Sequence, residues 1–289
     1  MSTKRFAVLL ACLRFDTHEE RMLRVKIDPA AAISHIFEKF NQNSQSTYSL
    51  GANVTVDEIL VGFRGRYKFK MYLPSKPVKY GLKIQCLVDA RTHYIYNTYI
   101  YCGKGTDSLK DVTDEEKRFS IPTQAVIRLC KPIFGSNRNI TADNWYSSIE
   151  LIDSLFKNKL TYVGTMKKKQ SGNTQEKLYG FTTNKTLILR VPKKNKAVVM
   201  ISSMHHCIQD DNGLPEINAY YNYTKSGVDA VDEKCSKYCC SRRRQRWPMA
   251  LFYRFGYVFN KCIYHPSVLC QRKSARQNRF FKIISQTTI

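Results

Sequence analysis

The sequence predicts an α/β fold in which a mixed sheet is flanked by helices, with an N-terminal helical segment and a small β-rich insertion. The first observation is that β-branched strand patterns alternate with helical patterns over residues 51–166. The second is the order of these elements, with three early strands followed by a helix, a strand, a helix and a strand. A chain of 289 residues with 43% hydrophobic residues is long enough to bury such a core.

The N-terminal segment, residues 4–43, is predicted to be helical in two pieces, 5–15 and 28–43. Asp28 is predicted to cap the second helix, and the proline that follows it suits a first helical turn. Residues 44–51 are polar and rich in turn formers, which predicts a boundary before the sheet.

The β-branched run at 52–63 predicts the first strand, and the runs at 82–90 and 93–102 predict an antiparallel pair joined by a tight turn. The elements predicted next are a loop at 107–117, a helix from about Pro122, a strand at 138–143, a helix at 147–158 and a strand at 160–166.

Residues 167–203 are predicted to form the β-rich insertion, with a polar loop followed by strands at 185–191 and 197–203. Helices are predicted at 228–237 and 248–265. This order of elements fits an RNase H-like α/β core.

The net charge of +24, from 47 Lys and Arg against 23 Asp and Glu, favours an anionic partner such as nucleic acid. No stretch approaches the roughly 18 apolar residues that a membrane span requires, so no membrane partner is expected. The ten cysteines are scattered along the chain and are predicted to be reduced, mostly buried thiols of a nuclear or cytosolic protein. The densest group, CSKYCC at 235–240, lacks the paired spacing of ordinary zinc modules.

Four aspartates are candidates for catalysis: Asp57, Asp143, Asp229 and Asp232. Asp57 lies within an apolar strand, where an unpaired carboxylate is costly to bury and a metal ion or basic partner is expected. Asp143 ends a strand at the carboxyl edge of the predicted sheet, where ligands of α/β proteins bind. Asp229 and Asp232 are three residues apart and share one face of a predicted helix.

Carboxylates gathered in this way can hold two Mg²⁺ or Mn²⁺ ions and cleave a phosphodiester backbone. The alternative is that each aspartate is a helix cap, a turn residue or a surface charge. Pattern alone does not select these four from the 23 acidic residues.

Four longer motifs decide between these interpretations: FRGRYKFKMYLPSKPVKYGLK, RNITADNWYSS, YYNYTKSGVDAVDEKCS and SRRRQRWPMALFY. Together they resemble the catalytic domain of piggyBac-type transposases, with gaps, from about Arg5 to His265. The resemblance implies an RNase H-like DNA transposase of the acidic-triad class. Members cut transposon ends by metal-dependent hydrolysis and transesterification, pass through hairpin ends and insert at TTAA sites.

Carried over by residue, the resemblance implies that Asp57, Asp143 and Asp229 are metal ligands, that Asp232 is a fourth acidic residue of the site, and that Trp247 lies near the active site and target DNA. It implies double-stranded DNA as partner, a possible homodimer and a nuclear location. The domains expected are a partial dimerisation and DNA-binding region at 1–50, a catalytic core at 51–166 and 204–289 with a basic helical tail, and the insertion at 167–203.

Relative to the family pattern, the chain is expected to begin part-way into the N-terminal helical region and to end before the cysteine-rich zinc-binding tail of many members. The alternative function is therefore a domesticated or decayed DNA-binding protein without catalysis.

The residues predicted to hold DNA are Arg64, Arg66, Lys76 and Lys79 after the first strand, Lys167 and Lys168 in the insertion, and Arg242, Arg243, Arg244, Arg246 and Trp247 near the last helix. The first and the last groups have alternatives. The first is a solvated hairpin face, the RRRQR run is a nuclear-localisation signal, and Trp247 is a core anchor.

Overall fold

A single mixed β-sheet forms the centre of the molecule. The structure, a computed structural model, describes residues 1–12, 14–74, 76–103, 105–107, 114–167, 177–190, 197–205, 215–237 and 246–252. Within these ranges nine strands join one sheet in the order β2-β3-β1-β5-β6-β9-β8-β7, with β4 also paired to β3.

The strands are β1 (Asn53–Gly62), β2 (Met71–Tyr72), β3 (Tyr80–Asp89), β4 (Ile95–Ile100), β5 (Asn139–Ala142), β6 (Thr161–Met166), β7 (Lys177–Thr182), β8 (Lys185–Arg190) and β9 (Val198–Ser202). The central pairs β1–β5 and β5–β6 are parallel, and the outer pairs are antiparallel. The parallel strands place the ends of β1, β5 and β6 towards one edge of the sheet.

The helices are α1 (Thr3–Cys12), α2 (His18–Arg24), α3 (Ser34–Thr47), α4 (Asp114–Lys117), α5 (Ile121–Cys130), α6 (Ile149–Lys157), α7 (Glu216–Thr224) and α8 (Gly227–Lys237). A 3₁₀ turn at Lys131–Ile133 follows α5, and residues 247–252 are helical. No helix within the described ranges has the length and apolar character needed to cross a bilayer.

The two faces of the sheet bury separate cores, because side chains alternate along each strand. On one face, Val54 and Val56 of β1 lie in a cluster with residues of α5 and α6. On the other, Ile59 and Val61 of β1 lie in a cluster with residues of α3 and α8. Asp57 has the parity of the second face.

The predicted core strands at 52–63, 82–90, 93–102, 138–143 and 160–166 and the predicted antiparallel pair are confirmed, as are the helices after Pro122, at 147–158 and at 228–237. The elements β2, β7, α2 and α7 were not predicted, and α4 lies within the segment 107–117 that was predicted as a loop.

The predicted helix at 28–43 is wrong at its start, and Asp28 does not cap it. Asp28 Oδ1 accepts instead from the backbone N–H of Ala30, at 2.9 Å, in a local turn. Residues 28–33 form turns, and α3 begins at Ser34. The helix then continues to Thr47, into the segment predicted as a boundary.

The strands of the predicted insertion extend the main sheet, because β9 pairs with β6 and β8 pairs with β9. The predicted polar loop and the helix at 248–265 lie largely outside the described residues. The arrangement is an open mixed sheet with helices on both faces, consistent with the predicted RNase H-like fold.

Candidate active site

Asp57 and Asp143 occupy equivalent positions on neighbouring parallel strands. The register of β1 and β5 pairs Val56 with Ala142, and each aspartate is the next residue along the chain, Asp57 within β1 and Asp143 directly after β5. Since neighbouring strands are about 4.8 Å apart, this register places the two aspartates side by side at the end of β5.

A buried threonine cluster shows which face these aspartates share. Thr55 and Thr141 are register partners. The Thr55 hydroxyl donates to the backbone carbonyl of Thr224 at 2.7 Å, and the Thr141 hydroxyl donates to Thr224 Oγ1 at 2.8 Å. Asp57 and Asp143 follow two residues later, so they lie on the face that the end of α7 covers.

The start of α8 rests on the same part of β1. A Cβ added at Gly227 would lie 2.7 Å from Thr55 Oγ1, so this approach requires a residue without a side chain. Asp229 follows in the first turn of α8 and is exposed, and half-buried Asp232 lies three residues further along. The short distance between helix and strand brings the aspartates of α8 towards those of the sheet.

The hydroxyl of Tyr221 lies within electrostatic range of three of the four aspartates. Burial is the main reason that the pKa of the Tyr221 hydroxyl is raised, and the charges of Asp143, Asp57 and Asp229 raise this pKa further. A hydrogen bond with the side chain of Thr165 acts in the opposite direction. Folding therefore brings the three predicted metal ligands, which are 86 residues apart in sequence, to one neighbourhood.

The buried thiol of Cys86 shows where Asp232 lies. Cys86 is the register partner of Asp57 and is fully buried. Burial raises the pKa of its thiol, and the charges of Cys235, Asp57 and Asp232 contribute in the same direction. Asp232 of α8 thus lies on the Asp57 face of the sheet.

The charged forms of Asp57 and Asp143 are disfavoured in the fold, because the pKa of each carboxylate is raised. Burial raises the pKa of Asp57 to about 8, and the charge of Glu58 adds to this effect. The backbone N–H of Glu58 donates to Asp57 Oδ1 at 2.7 Å and partly offsets it. Burial also raises the pKa of Asp143, although the backbone N–H of Trp145 donates to its Oδ1 at 2.9 Å.

This pair of half-buried carboxylates fits a hard divalent cation, because oxygen ligands suit Mg²⁺ and Mn²⁺ and the cation's charge would offset the cost of partial burial. Among the residues that the structure describes, no group of three or more His, Cys, Asp or Glu side chains is close enough to hold an ion. Asp57, Asp143, Asp229 and Asp232 all lie within the described ranges, so the structure brings no three of them within reach of one ion.

Sequence reasoning missed a polar network on the opposite face of β1. The buried Tyr146 hydroxyl lies 2.5 Å from Gln85 Oε1 and 3.2 Å from Glu58 Oε2. It ties the loop after Asp143 to β1 and β3. Lys76 Nζ is 3.8 Å from Glu58 Oε1. The available signal was the pair of polar residues at inward-facing strand positions, Glu58 and Gln85.

The predicted DNA-binding residues fall at several places. Arg64, Arg66 and Lys79 are exposed between β1 and β3, and Lys76 is half-buried beside Glu58. Exposed Lys167 directly follows β6, and its charge lowers the pKa of Asp143. Lys168, Arg242, Arg243 and Arg244 lie outside the described residues.

Trp247 and Arg246 are packed at the N-terminal side of the molecule. The Trp247 ring lies 4.5 Å from the Tyr67 ring and contacts the core beneath α3 and α8. Arg246 Nη1 donates to the backbone carbonyl of Ala11 at 3.4 Å. Both residues line a pocket together with Phe15. This placement is compatible with the core-anchor alternative for Trp247.

Known proteins similar to this chain include two human proteins and a solved transposase. The human PiggyBac transposable element-derived protein 3 is 20% identical over 250 residues, which cover 76% of this chain and 41% of that protein. The human chimeric ERCC6-PGBD3 protein has the same identity over 250 residues, which cover 76% of this chain and 23% of that protein. A piggyBac transposase, solved by cryo-EM as a synaptic complex with hairpin DNA, is 35% identical with a TM-score of 0.82.

The solved transposase matches 96% of this chain, which in turn covers 61% of that structure. The chain thus spans less than two thirds of each relative. The profile of the family described as Transposase IS4 matches residues 1–259. This match extends over most of the sequence and agrees with the shared fold. The chain therefore belongs to this transposase family and, within it, to the piggyBac type.

Proposed function

We propose that this chain is the catalytic domain of a DNA transposase in which Asp57, Asp143 and Asp229 hold two divalent ions, Mg²⁺ or Mn²⁺, with Asp232 assisting. The observation that supports this proposal is that β1, β5 and α8 each bring one aspartate within electrostatic range of the Tyr221 hydroxyl. Transposases of this family use divalent metal ions in general, which agrees with the oxygen donors present.

The position of each residue in the fold assigns it a role in this proposal. Asp57 and Asp143, fixed on neighbouring strands, would orient the bound ions, and Asp229 would complete the set from α8. Bound divalent ions would supply charge stabilisation to a phosphodiester during hydrolysis or strand transfer. Exposed Arg64, Arg66 and Lys79 would bind DNA phosphates.

The partner we propose is double-stranded DNA at transposon ends, with TTAA target sites, in the nucleus and with a homodimer as the working unit. The net charge of +24 and the DNA in the solved relative support a DNA partner. We retain the proposed domains at 1–50, 51–166, 167–203 and 204–289.

The test is cleavage of a transposon-end duplex in Mg²⁺ and in Mn²⁺. Asp143→Asn keeps the shape of the side chain, and we expect it to reduce cleavage by at least about 100-fold, because a metal ligand is lost. The matched control is Asp153→Asn, since Asp153 lies on α6, half-exposed and paired with Lys185. Cleavage by Asp143→Asn at the rate of the parent would exclude the assignment.

A second candidate function is DNA binding without catalysis. The observation that favours it is that one human relative carries the name of a transposable element-derived protein and the other that of a chimeric protein. This candidate predicts DNA binding that weakens with salt, is unaffected by EDTA and leaves the strands intact. The same cleavage assay separates the two functions.

A further inference from the structure

Two exposed tyrosines lie side by side on the hairpin formed by β2 and β3. Tyr72 and Tyr80 are register partners, with ring centroids 4.8 Å apart and ring planes inclined by 37°. Their exposed fractions are 52% and 46%. Both rings therefore present aromatic surface to the solvent from an edge strand.

The segment that carries these rings is basic. Residues 62–80 contain six basic residues and no acidic residue. Lys70 Nζ lies 6.0 Å from the centroid of the Tyr80 ring, and exposed Lys79 directly precedes Tyr80. An aromatic surface framed by cations matches a ligand that combines flat rings with negative charge.

The pair lies on the carboxylate face of the sheet. Tyr80 has the parity of Cys86 on β3, and Cys86 is the register partner of Asp57. Tyr80 lies six positions before Cys86 on β3, which corresponds to about 20 Å along an antiparallel strand. A DNA strand that reaches the carboxylates could therefore contact the tyrosines a few nucleotides away.

A purely structural role accounts for part of these observations. Cross-strand aromatic pairs stabilise two-stranded ribbons, which explains why the rings touch. It does not explain why an exclusively basic segment surrounds rings that remain about half exposed. Stacking of an unpaired base explains both, because bases stack on aromatic rings and nearby cations bind the flanking phosphates.

We propose that Tyr72 and Tyr80 form a stacking platform for an unpaired DNA base, with Lys70 and Lys79 binding the adjacent phosphates. The occupant is single-stranded DNA, since the bases of an intact duplex are stacked on one another. This inference rests on the proposed function only in assuming a DNA partner.

The test compares two 12-nucleotide strands of equal charge, oligo-dT and an abasic strand, by fluorescence anisotropy in EDTA. We expect the parent to bind oligo-dT about tenfold more tightly, the effect of about one stacked base. The double variant Tyr72→Val, Tyr80→Val keeps strand propensity but removes the rings. It should lose this preference while its affinity for the abasic strand stays the same.

Two controls separate stacking from stability. Tyr72→Phe with Tyr80→Phe should bind both strands like the parent, and so should Tyr223→Val, which removes an exposed tyrosine of α7. If thermal unfolding shows that the double Val variant is not folded, the binding of both strands is measured for Tyr72→Val alone. It should then show a reduced preference, and an unchanged one would overturn the platform.

The outcomes also distinguish this inference from the proposed function. Equal binding of oligo-dT and the abasic strand by the parent would overturn the platform and leave the metal site untouched. Failure of the parent to bind either strand would overturn both. A preference for oligo-dT that the Val pair abolishes supports the platform even if Asp143→Asn cleaves normally.

Discussion

Gly227 at the start of α8 lies directly against Thr55 of β1, so that a Cβ on the glycine would be 2.7 Å from Thr55 Oγ1 and 3.1 Å from Thr55 Cβ. The threonine hydroxyl is itself engaged, because it donates to the carbonyl of Thr224 at 2.7 Å. β1 carries Asp57 and α8 carries Asp229. The short distance between this strand and this helix therefore requires glycine at position 227.

Gly227→Ala should displace the first turn of α8 and destabilise the fold by about 1–3 kcal/mol, the usual cost of overpacking. The clash should outweigh the better helix propensity of alanine, which is worth at most about 1 kcal/mol. Urea denaturation measures the first effect. Titration with Mn²⁺ should show weaker binding, since Asp229 moves with the helix.

Gly180→Ala is the matched control for that substitution. A Cβ at Gly180 would meet only Leu187 Cβ at 3.8 Å, an ordinary contact. The unfolding free energy of this variant should lie within about 0.5 kcal/mol of that of the parent, and the variant should bind Mn²⁺ as the parent does. If Gly227→Ala behaves in the same way, the helix does not depend on this contact.

Tyr146→Phe should destabilise the protein by about 1–3 kcal/mol, because it leaves buried Gln85 and half-buried Glu58 without the hydroxyl that both contact. The Gln85 Nε2 atom already has no hydrogen-bond partner in the structure. Replacing both partners with apolar residues, as Tyr146→Phe with Gln85→Leu, should recover part of that loss.

Urea denaturation of the two single variants and the double variant forms a double-mutant cycle. A loss in the double variant smaller than the sum of the single losses supports the network. Strict additivity would show that the hydroxyl and the amide do not interact.

The main sheet could be predicted from the sequence because β1 and β3 carry runs of apolar and β-branched residues that define strands locally. The two residues of β2 could not, since Met71 and Tyr72 lie among lysines and prolines and become a strand only by pairing with β3. The helix α7 could not be predicted either, because its tyrosines have modest helix propensity. The packing of Ile217 and Thr224 stabilises this helix in the fold.

Of the candidate site, the sequence predicted that Asp57 lies within a strand and that Asp143 lies at the end of a strand, but not that the two strands are neighbours. It could not predict the threonine cluster, because Thr55 and Thr224 are 169 residues apart and their types give no sign of pairing. For Glu58 the sequence shows a polar residue at an inward-facing strand position, but its contact with Tyr146 could not be predicted, since that contact depends on the course of the loop after Asp143.

Asp57→Asn should stabilise the metal-free protein at alkaline pH by a few kcal/mol, since one unit of pKa difference corresponds to about 1.4 kcal/mol and solvent screens part of the effect at this half-buried site. The folded-state pKa of Asp57 is raised from 3.8 to about 8, so folding favours the protonated form. That contribution is fully present below pH 3.8 and is lost as the pH rises towards 8. Asparagine does not ionise, so the variant should not show this loss.

Unfolding free energies at pH 5.5 and pH 8.5 test this expectation, with Asp153→Asn as a control that should keep the pH dependence of the parent. Added Mn²⁺ should stabilise the parent at pH 8.5 more than Asp57→Asn, because ligand binding to the folded state adds to stability. Equal pH dependence in Asp57→Asn and the parent would contradict the electrostatic account of this carboxylate.

His93→Asn should reduce the loss of stability on acidification. Lys234 of α8 lies 2.7 Å from His93 Nδ1, and an ammonium can donate only to an unprotonated ring nitrogen. Burial and the charge of Lys234 lower the pKa of His93, with Asp89 acting in the opposite direction. Stability from this group is thus present above the unfolded-state value near 6.5 and is lost as the pH falls below it.

Asparagine suits the backbone at this position, where φ is 59°, and does not titrate. Between pH 7.5 and pH 5.5 the variant should lose less unfolding free energy than the parent, by under about 1 kcal/mol because solvent screens a half-buried pair. His35→Asn, at an exposed site on α3, should lose as much as the parent. If His93→Asn also loses as much as the parent, the contact with Lys234 does not oppose protonation of His93.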